Sequence, residues 1–218
     1  MKLINKIFFS LLILSCFLIA FLLSFVVAYN DDGFYKKQFE ENKAYEGLGK
    51  GEVDDFYTEM REYLDGDGEL ISFSEREKLH LVDVKYLINM AYLVFYFALG
   101  VFVLILIFLI AKKNYKLLSK GLIYSGLAVF GVVFLFFILS FLDFNWLFTG
   151  FHLVSFDNDL WLLPANSRLI QMFPSEFFFD IFGRILSYAG GFGIVMFAGG
   201  YVLKKKVLEK IHYRKKLK

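Results

Sequence analysis

Four long apolar runs constrain this chain more than any other feature of its sequence. They cover residues 7–28, 86–111, 122–141 and 181–203. An α-helix rises about 1.5 Å per residue and the hydrocarbon core of a bilayer is about 30 Å thick, so each run can cross a membrane as a helix. No run alternates apolar and polar residues as the strands of a β-barrel do. The sequence therefore predicts an all-α membrane protein with four transmembrane helices.

Basic and acidic residues occupy different parts of the chain. The N-terminus, residues 112–120 and the tail after Leu203 together hold 14 basic residues and one acid. Residues 30–85, the first acidic segment, hold 16 acids and 8 bases, and residues 142–180, the second acidic segment, hold five acids and one base. Lys and Arg accumulate in cytoplasmic loops. We therefore expect both termini in the cytoplasm and both acidic segments outside, as a small, mainly helical cap.

The net charge of +2 is a sum over two faces of opposite character, so it gives no reason to expect nucleic acid as a partner. We expect membrane lipid to be the partner of the basic tail. A basic start followed by an apolar run also resembles a signal peptide, but this run continues for about a dozen residues past Cys16, too long for a signal-peptide core. We therefore predict a retained first helix and a single membrane domain, 1–218.

The first acidic segment contains two helix patterns. Apolar residues at helical spacing predict an amphipathic helix over residues 52–65. Ser74 and Glu77 have the spacing of a capping box, in which each side chain satisfies a free amide at a helix start. A second helix should therefore begin near Glu75. No helix breaker follows, so we expect this helix to continue into the span at 86–111.

Two of the three histidines should lie on the same outer face. His80 lies about one and a half turns, or about 8 Å, outside the predicted second span, with Asp83 on the same helix face. His152 belongs to the strongly aromatic second acidic segment, which we expect to lie in the membrane interface. Two imidazoles beside carboxylates at a lipid boundary are what proton transfer at a headgroup needs. Interfacial histidines, however, often only extend toward water or cap a backbone group.

Residues near these histidines carry a resemblance to a known family. They are Leu79-His80, Asp83, Val84, Leu87, Phe151-His152, Phe156, Asn158-Asp159, Trp161, Pro164, Leu169-Ile170 and Pro174 to Phe178. In these residues and in its layout of four spans, the chain resembles the lipoprotein intramolecular transacylase family, Lit. The resemblance implies a multi-pass enzyme of the bacterial plasma membrane with its active face outside the cytoplasm. Its substrate would be a diacylglyceryl-modified lipoprotein, whose sn-2 acyl chain moves to the α-amino group of the same cysteine and leaves a lyso-form lipoprotein.

By the same resemblance, the two histidines of the family correspond to His80 and His152. We expect His80 to be the general base, with Asp83 orienting it. His152 would be the second proton carrier or a donor to the oxyanion, with Asn158 as a candidate donor beside it and Asp159 as a supporting residue. The roles of the two histidines could be exchanged without contradicting the sequence.

Other candidate groups receive simpler interpretations. Arg184 lies near one end of the fourth span, where it could extend toward water or hold a lipid headgroup or a peptide carboxyl. Two histidines and flexible carboxylates lack the paired spacing of metal ligands, so we expect no metal and no cofactor. Cys16 lies in the middle of the predicted first span, too far from the outer boundary to form an acyl-enzyme at headgroup level.

Two other classes of function remain as alternatives. A transporter would need ionisable residues deep in its spans, and apart from Arg184 the predicted spans carry none. A non-catalytic membrane partner, or a pH-sensing subunit, would use the first acidic segment to dock a protein and the histidines to report pH. Only activity separates this alternative from an acyltransferase. The sequence does not indicate an oligomeric state.

Overall fold

The computed structural model describes residues 3–216, with side chains up to Glu209, so His212 and the end of the basic tail lie outside the described side chains. The described residues form nine α-helices and no strand. The helices are α1 Leu3–Tyr29, α2 Asp32–Glu41, α3 Ala44–Leu48, α4 Lys50–Asp65, α5 Glu75–Ala111, α6 Tyr115–Leu142, α7 Phe144–Ser155, α8 Arg168–Met172 and α9 Ser175–Lys216.

Four of these helices are long and apolar enough to cross a membrane. They are α1, α5, α6 and α9, and each contains one of the four predicted apolar runs. Over residues 3–216, the prediction of an all-α protein with four helices able to cross a membrane is confirmed. Several helices extend beyond the apolar runs into polar sequence.

The residue contacts divide the chain into two compact units. Unit 1 comprises the described parts of Met1–Val26, Tyr92–Ile138 and Ile185–Lys218. Unit 2 comprises Val27–Ala91 and Leu139–Arg184. Both acidic segments belong to unit 2, and so do the two candidate histidines.

Unit 1 packs through apolar side chains and close backbone contact. Leu12, Cys16 and Leu109 are buried in one apolar cluster. A Cβ atom added to Gly126 would lie 2.7 Å from the carbonyl oxygen of Gly193, so α6 and α9 touch backbone to backbone at this point. Small residues permit this approach between membrane helices.

Unit 2 is built around the helix predicted over residues 52–65, which the structure places at α4, Lys50–Asp65. Its apolar face is buried, and Tyr57 packs against Tyr35 and Phe39 of α2, with ring centroids 5.3 and 5.4 Å apart. Phe173 and Phe177 of the second acidic segment join the same aromatic cluster. The four short helices α2, α3, α7 and α8 were not predicted from sequence.

The capping box forms as the sequence predicts. The carboxylate of Glu77 accepts hydrogen bonds from the Ser74 backbone N–H at 2.9 Å and from the Ser74 hydroxyl at 2.7 Å. Helix α5 begins at Glu75 and continues without a break to Ala111. The polar start of this helix therefore carries its side chains in fixed register with the apolar run that follows.

Candidate active site

Helix α5 places His80 and Asp83 one turn apart on one face, since residues three and four apart in a helix are neighbours. His80 precedes residue 86, where the apolar run begins, so it lies outside the predicted span. Its ring is half-buried, and its Nδ1 atom is buried with no hydrogen-bond partner. Leaving a buried nitrogen of this kind without a hydrogen bond costs about 1–3 kcal/mol.

Helix α7 places His152. Asp143 caps its N-terminus by accepting a hydrogen bond from the backbone N–H of Trp146 at 2.9 Å, and His152 lies in its last turn with 7% of its surface exposed. The Nδ1 atom of His152 lies 2.7 Å from the backbone carbonyl oxygen of Phe148. A carbonyl oxygen only accepts, so Nδ1 carries the proton, and the neutral ring presents a bare lone pair at Nε2.

The structure brings the two histidines together, with ring centroids 6.4 Å apart and ring planes 28° from parallel. Phe156 packs against both rings, at 5.5 Å from His80 and 5.6 Å from His152. Phe148 and Trp161 cover further sides of His152, at 4.3 and 4.8 Å. The two imidazoles thus share one aromatic, poorly hydrated environment.

This environment keeps both rings neutral. Burial lowers the pKa of His80 from 6.5 to about 4, with a further lowering from the neighbouring His152 and a smaller opposing effect of the Asp83 carboxylate. Burial also lowers the pKa of His152, although the Phe148 carbonyl acts in the opposite direction. A charged ring loses hydration in an apolar site, and two charged rings would repel each other. The pair therefore resists carrying even one proton, and two still more.

Loop 156–161 follows α7 and is tied to α5 by polar contacts. The side-chain amide of Asn158 donates to the Asp83 carboxylate at 2.9 Å, and its oxygen accepts from the backbone N–H of Leu160 at 3.0 Å. Arg76, one turn before His80, donates from Nη2 to the backbone carbonyl of Asp159, whose carboxylate lies 3.6 Å from the same nitrogen. Asp83 thus pairs with Asn158, and among the described contacts no hydrogen bond joins the Asp83 carboxylate to His80.

Arg76 was not predicted as a site residue, although its spacing from His80 indicates that the two side chains share a helix face. Arg76, His80 and Asp83 are spaced i, i+4 and i+7, so they lie on one face of a helix. The predicted helix start near Glu75 already implied this register. The partner of Arg76 could not be identified from the sequence, because Asp159 is 83 residues away along the chain.

A buried carboxylate links the two acidic segments. The second oxygen of Glu77, which is 3% exposed, accepts from the backbone N–H of Leu169 at 3.1 Å. Burial raises the pKa of Glu77, but the hydrogen bonds from Ser74 and from the backbone at Leu169 and Arg168 outweigh burial and hold the pKa below its ordinary value. The Glu77 carboxylate therefore caps the start of α5 and also binds the first turn of α8.

Arg184 lies elsewhere in unit 2. Its guanidinium forms an ion pair with the carboxylate of Asp31 and covers the ring of Phe34, 4.8 Å from its centroid. Asp31 is also the N-cap of α2, because its side chain accepts from the Phe34 N–H. Arg184 thus ties the polar end of α9 to the start of α2. Within the part of the chain that the structure describes, no group of three or more His, Cys, Asp or Glu side chains could hold a metal ion.

Comparison with protein families gives a match over most of the chain. Residues 10–178 match the family model described as lipoprotein intramolecular transacylase Lit. An uncharacterised protein of Aquifex aeolicus (strain VF5) is 34% identical over 142 residues, which make up 63% of this chain. The match spans 60% of the length of that relative.

Solved structures give the same fold. The membrane integral lipoprotein intramolecular transacylase Lit from Bacillus cereus is 24% identical, with a TM-score of 0.79 over 96% of this chain and 100% of that one. A variant of that protein with a histidine replaced by arginine gives a TM-score of 0.76 at 23% identity, over 95% of each chain. At these identities the likeness shows the fold, and the four long apolar helices make this chain a multi-pass membrane protein.

Proposed function

We propose, from the premise that this chain belongs to the lipoprotein intramolecular transacylase family, that it is an O-to-N acyltransferase of the bacterial plasma membrane. Its substrate is a diacylglyceryl-modified lipoprotein. It moves the sn-2 acyl chain to the α-amino group of the modified cysteine and leaves a lyso-form lipoprotein. The observation that carries the proposal is the pair of neutral imidazoles 6.4 Å apart, one with its tautomer fixed by a backbone carbonyl.

The reaction needs only proton transfer and orientation, which side chains of the protein can supply. The amine nitrogen attacks the ester carbonyl carbon, a C–N bond forms, and the C–O bond to the sn-2 glycerol oxygen breaks. One proton leaves the amine nitrogen and one arrives at the glycerol oxygen, so ester and amine become amide and alcohol with no cofactor. Because both reacting groups belong to one lipoprotein, orientation supplies much of the acceleration.

His152 is the proton carrier in this proposal. Its Nδ1–H is engaged by the Phe148 carbonyl, so Nε2 is free to take the proton of the attacking amine and to return one to the glycerol oxygen. The sequence alone favoured His80 as the general base, although the roles of the two histidines could be exchanged. The hydrogen bond from His152 to Phe148 supports His152 as the base.

His80 acts as a neutral donor in this scheme. Its Nδ1 is buried, so Nε2 is the nitrogen more open to a substrate, and a proton held there can be donated to the oxyanion. A lowered pKa suits this role, because the ring stays neutral and polarises the carbonyl without charge. The ring centroids are 6.4 Å apart, and in this proposal the reacting ester and amine lie beside both imidazoles.

The remaining candidate residues support this pair. Asp83 and Asn158 hold each other and thereby the loop that carries Phe156. Asp159 contacts α5 through its backbone carbonyl, and Arg184 anchors the end of α9 through Asp31. One solved structure of the Bacillus cereus protein has a histidine replaced by alanine and another by arginine, which supports a histidine as the residue of interest in that protein.

In the membrane we propose a single domain with spans at about 7–28, 86–111, 122–141 and 181–203 and with both termini in the cytoplasm. The acidic segments 30–85 and 142–180 form the extracytoplasmic cap and bear the active face. Exposed apolar residues of α7, such as Trp146 at 64% and Val154 at 90% exposure, support contact of this helix with lipid.

Single introduced cysteines test this topology. Cys16 is the one native cysteine, and its replacement by alanine leaves the introduced cysteine as the one thiol that can be labelled. Asp157→Cys and Lys112→Cys, both at exposed positions, are treated with a membrane-impermeant maleimide on intact spheroplasts. We expect labelling at 157 and protection at 112 until the membrane is lysed. The reverse pattern contradicts an extracytoplasmic active face.

The activity is tested by mass spectrometry of the N-terminal peptide of a reporter lipoprotein, expressed in cells that lack other N-acylating enzymes. Wild type should give an N-acyl, monoacylglyceryl cysteine of unchanged total mass, and His80→Ala and His152→Ala should leave the diacylglyceryl form. Fragmentation of the glyceryl group identifies the sn position that lost its acyl chain. An unchanged reporter with well-expressed wild type would instead favour the non-catalytic partner or pH-sensing subunit.

A further inference from the structure

The distance between the two imidazoles depends on a loop and not only on the helices that carry them. Phe156 is the one described residue in ring contact with both histidines, and Trp161 covers His152 from the other end of the loop. A shift of loop 156–161 would therefore change the space between the rings. Anything that fixes this loop to α5 also fixes the active-site geometry.

Two polar contacts fix the loop, and they lie on either side of His80 along one face of α5. One is Asn158 with Asp83, one turn after His80. The other is Arg76 with Asp159, one turn before it, where a single guanidinium nitrogen contacts both the backbone carbonyl and the carboxylate. His80 is thus bracketed by the two anchors of the loop that spaces it from His152.

We propose that Arg76 is a positioning residue of the acyl transfer, which holds loop 156–161 so that Phe156 keeps His80 and His152 at their working separation. This inference rests on the proposed function. Arg76 acts through the loop and is not required to touch the substrate. Its Nε atom is buried with no partner, so the guanidinium keeps its place at the cost of an unmade hydrogen bond.

The chain offers a matched control in Arg168. Its Nη1 donates to the backbone carbonyl of Ser72, and its Nε lies 3.5 Å from the Glu52 carboxylate. The side chains of Arg168 and Arg76 are 43% and 41% exposed, and each guanidinium contacts one backbone carbonyl and one carboxylate. Arg168, however, holds α4 and residue 72, which do not contact either histidine ring among the described contacts.

The kinetic test compares Arg76→Met with Arg168→Met in purified protein, with a diacylglyceryl lipopeptide in mixed micelles and mass spectrometry of the product. We expect Arg76→Met to lower kcat about tenfold to a hundredfold, with KM within about threefold of wild type, because a small misplacement of catalytic groups has effects of this size. Arg168→Met should keep kcat within about threefold of wild type. Arg76→Lys should recover most of the loss, since one nitrogen makes both contacts.

A spectroscopic test reads the loop itself. In a Trp146→Phe background, Trp161 is the remaining tryptophan, and it packs 4.8 Å from His152. We expect Arg76→Met to shift the Trp161 emission to longer wavelength, and Arg168→Met to leave it unchanged. The shift would show that the loop moves when its anchor at Arg76 is removed.

The outcomes separate the failure of this inference from the failure of the proposed function. If wild type makes lyso-form product and the two methionine variants have equal kcat, Arg76 has no positioning role. If Arg76→Met does not accumulate as folded protein while Arg168→Met does, the role is structural and the inference is overturned. If wild type makes no lyso-form product and Trp161 still responds to Arg76→Met, the proposed function fails even though the loop is anchored as described.

Discussion

The two compact units of this protein are stabilised in different ways. In unit 1, serines such as Ser15 and Ser125 donate to carbonyls three or four residues back in their own helix, and the helices meet through apolar side chains and glycines. In unit 2, side chains such as Arg168 and Glu77 bond to backbone groups more than 90 residues away. A segment in lipid must satisfy its backbone locally, whereas a water-exposed segment can exchange polar partners over long distances.

This difference predicts which changes affect chemistry and which affect folding. Substitutions at the histidines of unit 2 should lower the rate per folded molecule, because the fold does not depend on their reactive nitrogens. Substitutions in the packing of unit 1 should lower the amount of folded protein and leave the rate per folded molecule unchanged.

The largest expected effect is the loss of activity in His152→Asn. The asparagine amide can still donate to the Phe148 carbonyl in place of Nδ1–H, but it offers nothing in place of Nε2. We expect at least about a hundredfold loss of rate per folded molecule, measured on the reporter lipopeptide, with the folded fraction determined by thermal unfolding in detergent. Substantial activity in this variant would remove Nε2 from the mechanism.

The next effect is on stability, in Glu77→Gln. The carboxylate accepts from three donors of Ser74 and Leu169, and an amide would place its own N–H groups against some of them. We expect a loss of about 1.5–3 kcal/mol in the free energy of unfolding, the range for hydrogen bonds to charged groups.

Glu59→Gln is the control for this change. Glu59 also accepts from a backbone N–H, that of Ser72 at 2.8 Å, but at an exposed site. We expect a loss of no more than about 1 kcal/mol there, measured by denaturant titration in detergent. Equal losses in the two variants would show that burial of the Glu77 carboxylate contributes little.

A comparable or smaller effect is expected in unit 1 from Gly126→Ala. The added Cβ would lie 2.7 Å from the Gly193 carbonyl oxygen and 2.9 Å from the Phe197 backbone nitrogen, so the helices must separate slightly. We expect about 1–3 kcal/mol of destabilisation, seen as a lower melting temperature. Gly131→Ala, where a Cβ meets nothing within 4 Å, should not lower it. A fall in turnover per folded molecule for Gly126→Ala would break the proposed separation between the units.

The smallest effect concerns pH. Folding lowers the pKa of His80 from 6.5 to about 4, so between these pH values the imidazole is protonated in the unfolded chain and neutral in the folded chain. Stability is therefore full above pH 6.5 and decreases as pH falls from there toward 4. Because the ring is partly exposed, we expect only about 1 kcal/mol between pH 7 and pH 5. His80→Asn should flatten this dependence, and an equal slope in both proteins would contradict a buried, neutral His80.

The spans and the start of α5 could be predicted from sequence because their causes are local. Apolar length fixes a span, and Ser74 and Glu77 fix a helix start within four residues. The aromatic core of unit 2 and the partners of Arg76 and Arg184 could not be predicted, since each needs a residue distant in the chain. His80 and His152 were chosen through their type and their resemblance to a family, and their separation and tautomer came only from the structure.

The hydrogen bond from His152 to the carbonyl of Phe148 has a consequence for how this site can evolve. The acceptor is main chain, so every residue that keeps the helical turn at position 148 supplies the same oxygen. Sequence drift at that position can change the packing around the imidazole but cannot remove the group that selects its tautomer. The tautomer of His152 is thus set by the helix backbone, and substitutions at position 148 change only the packing around the imidazole.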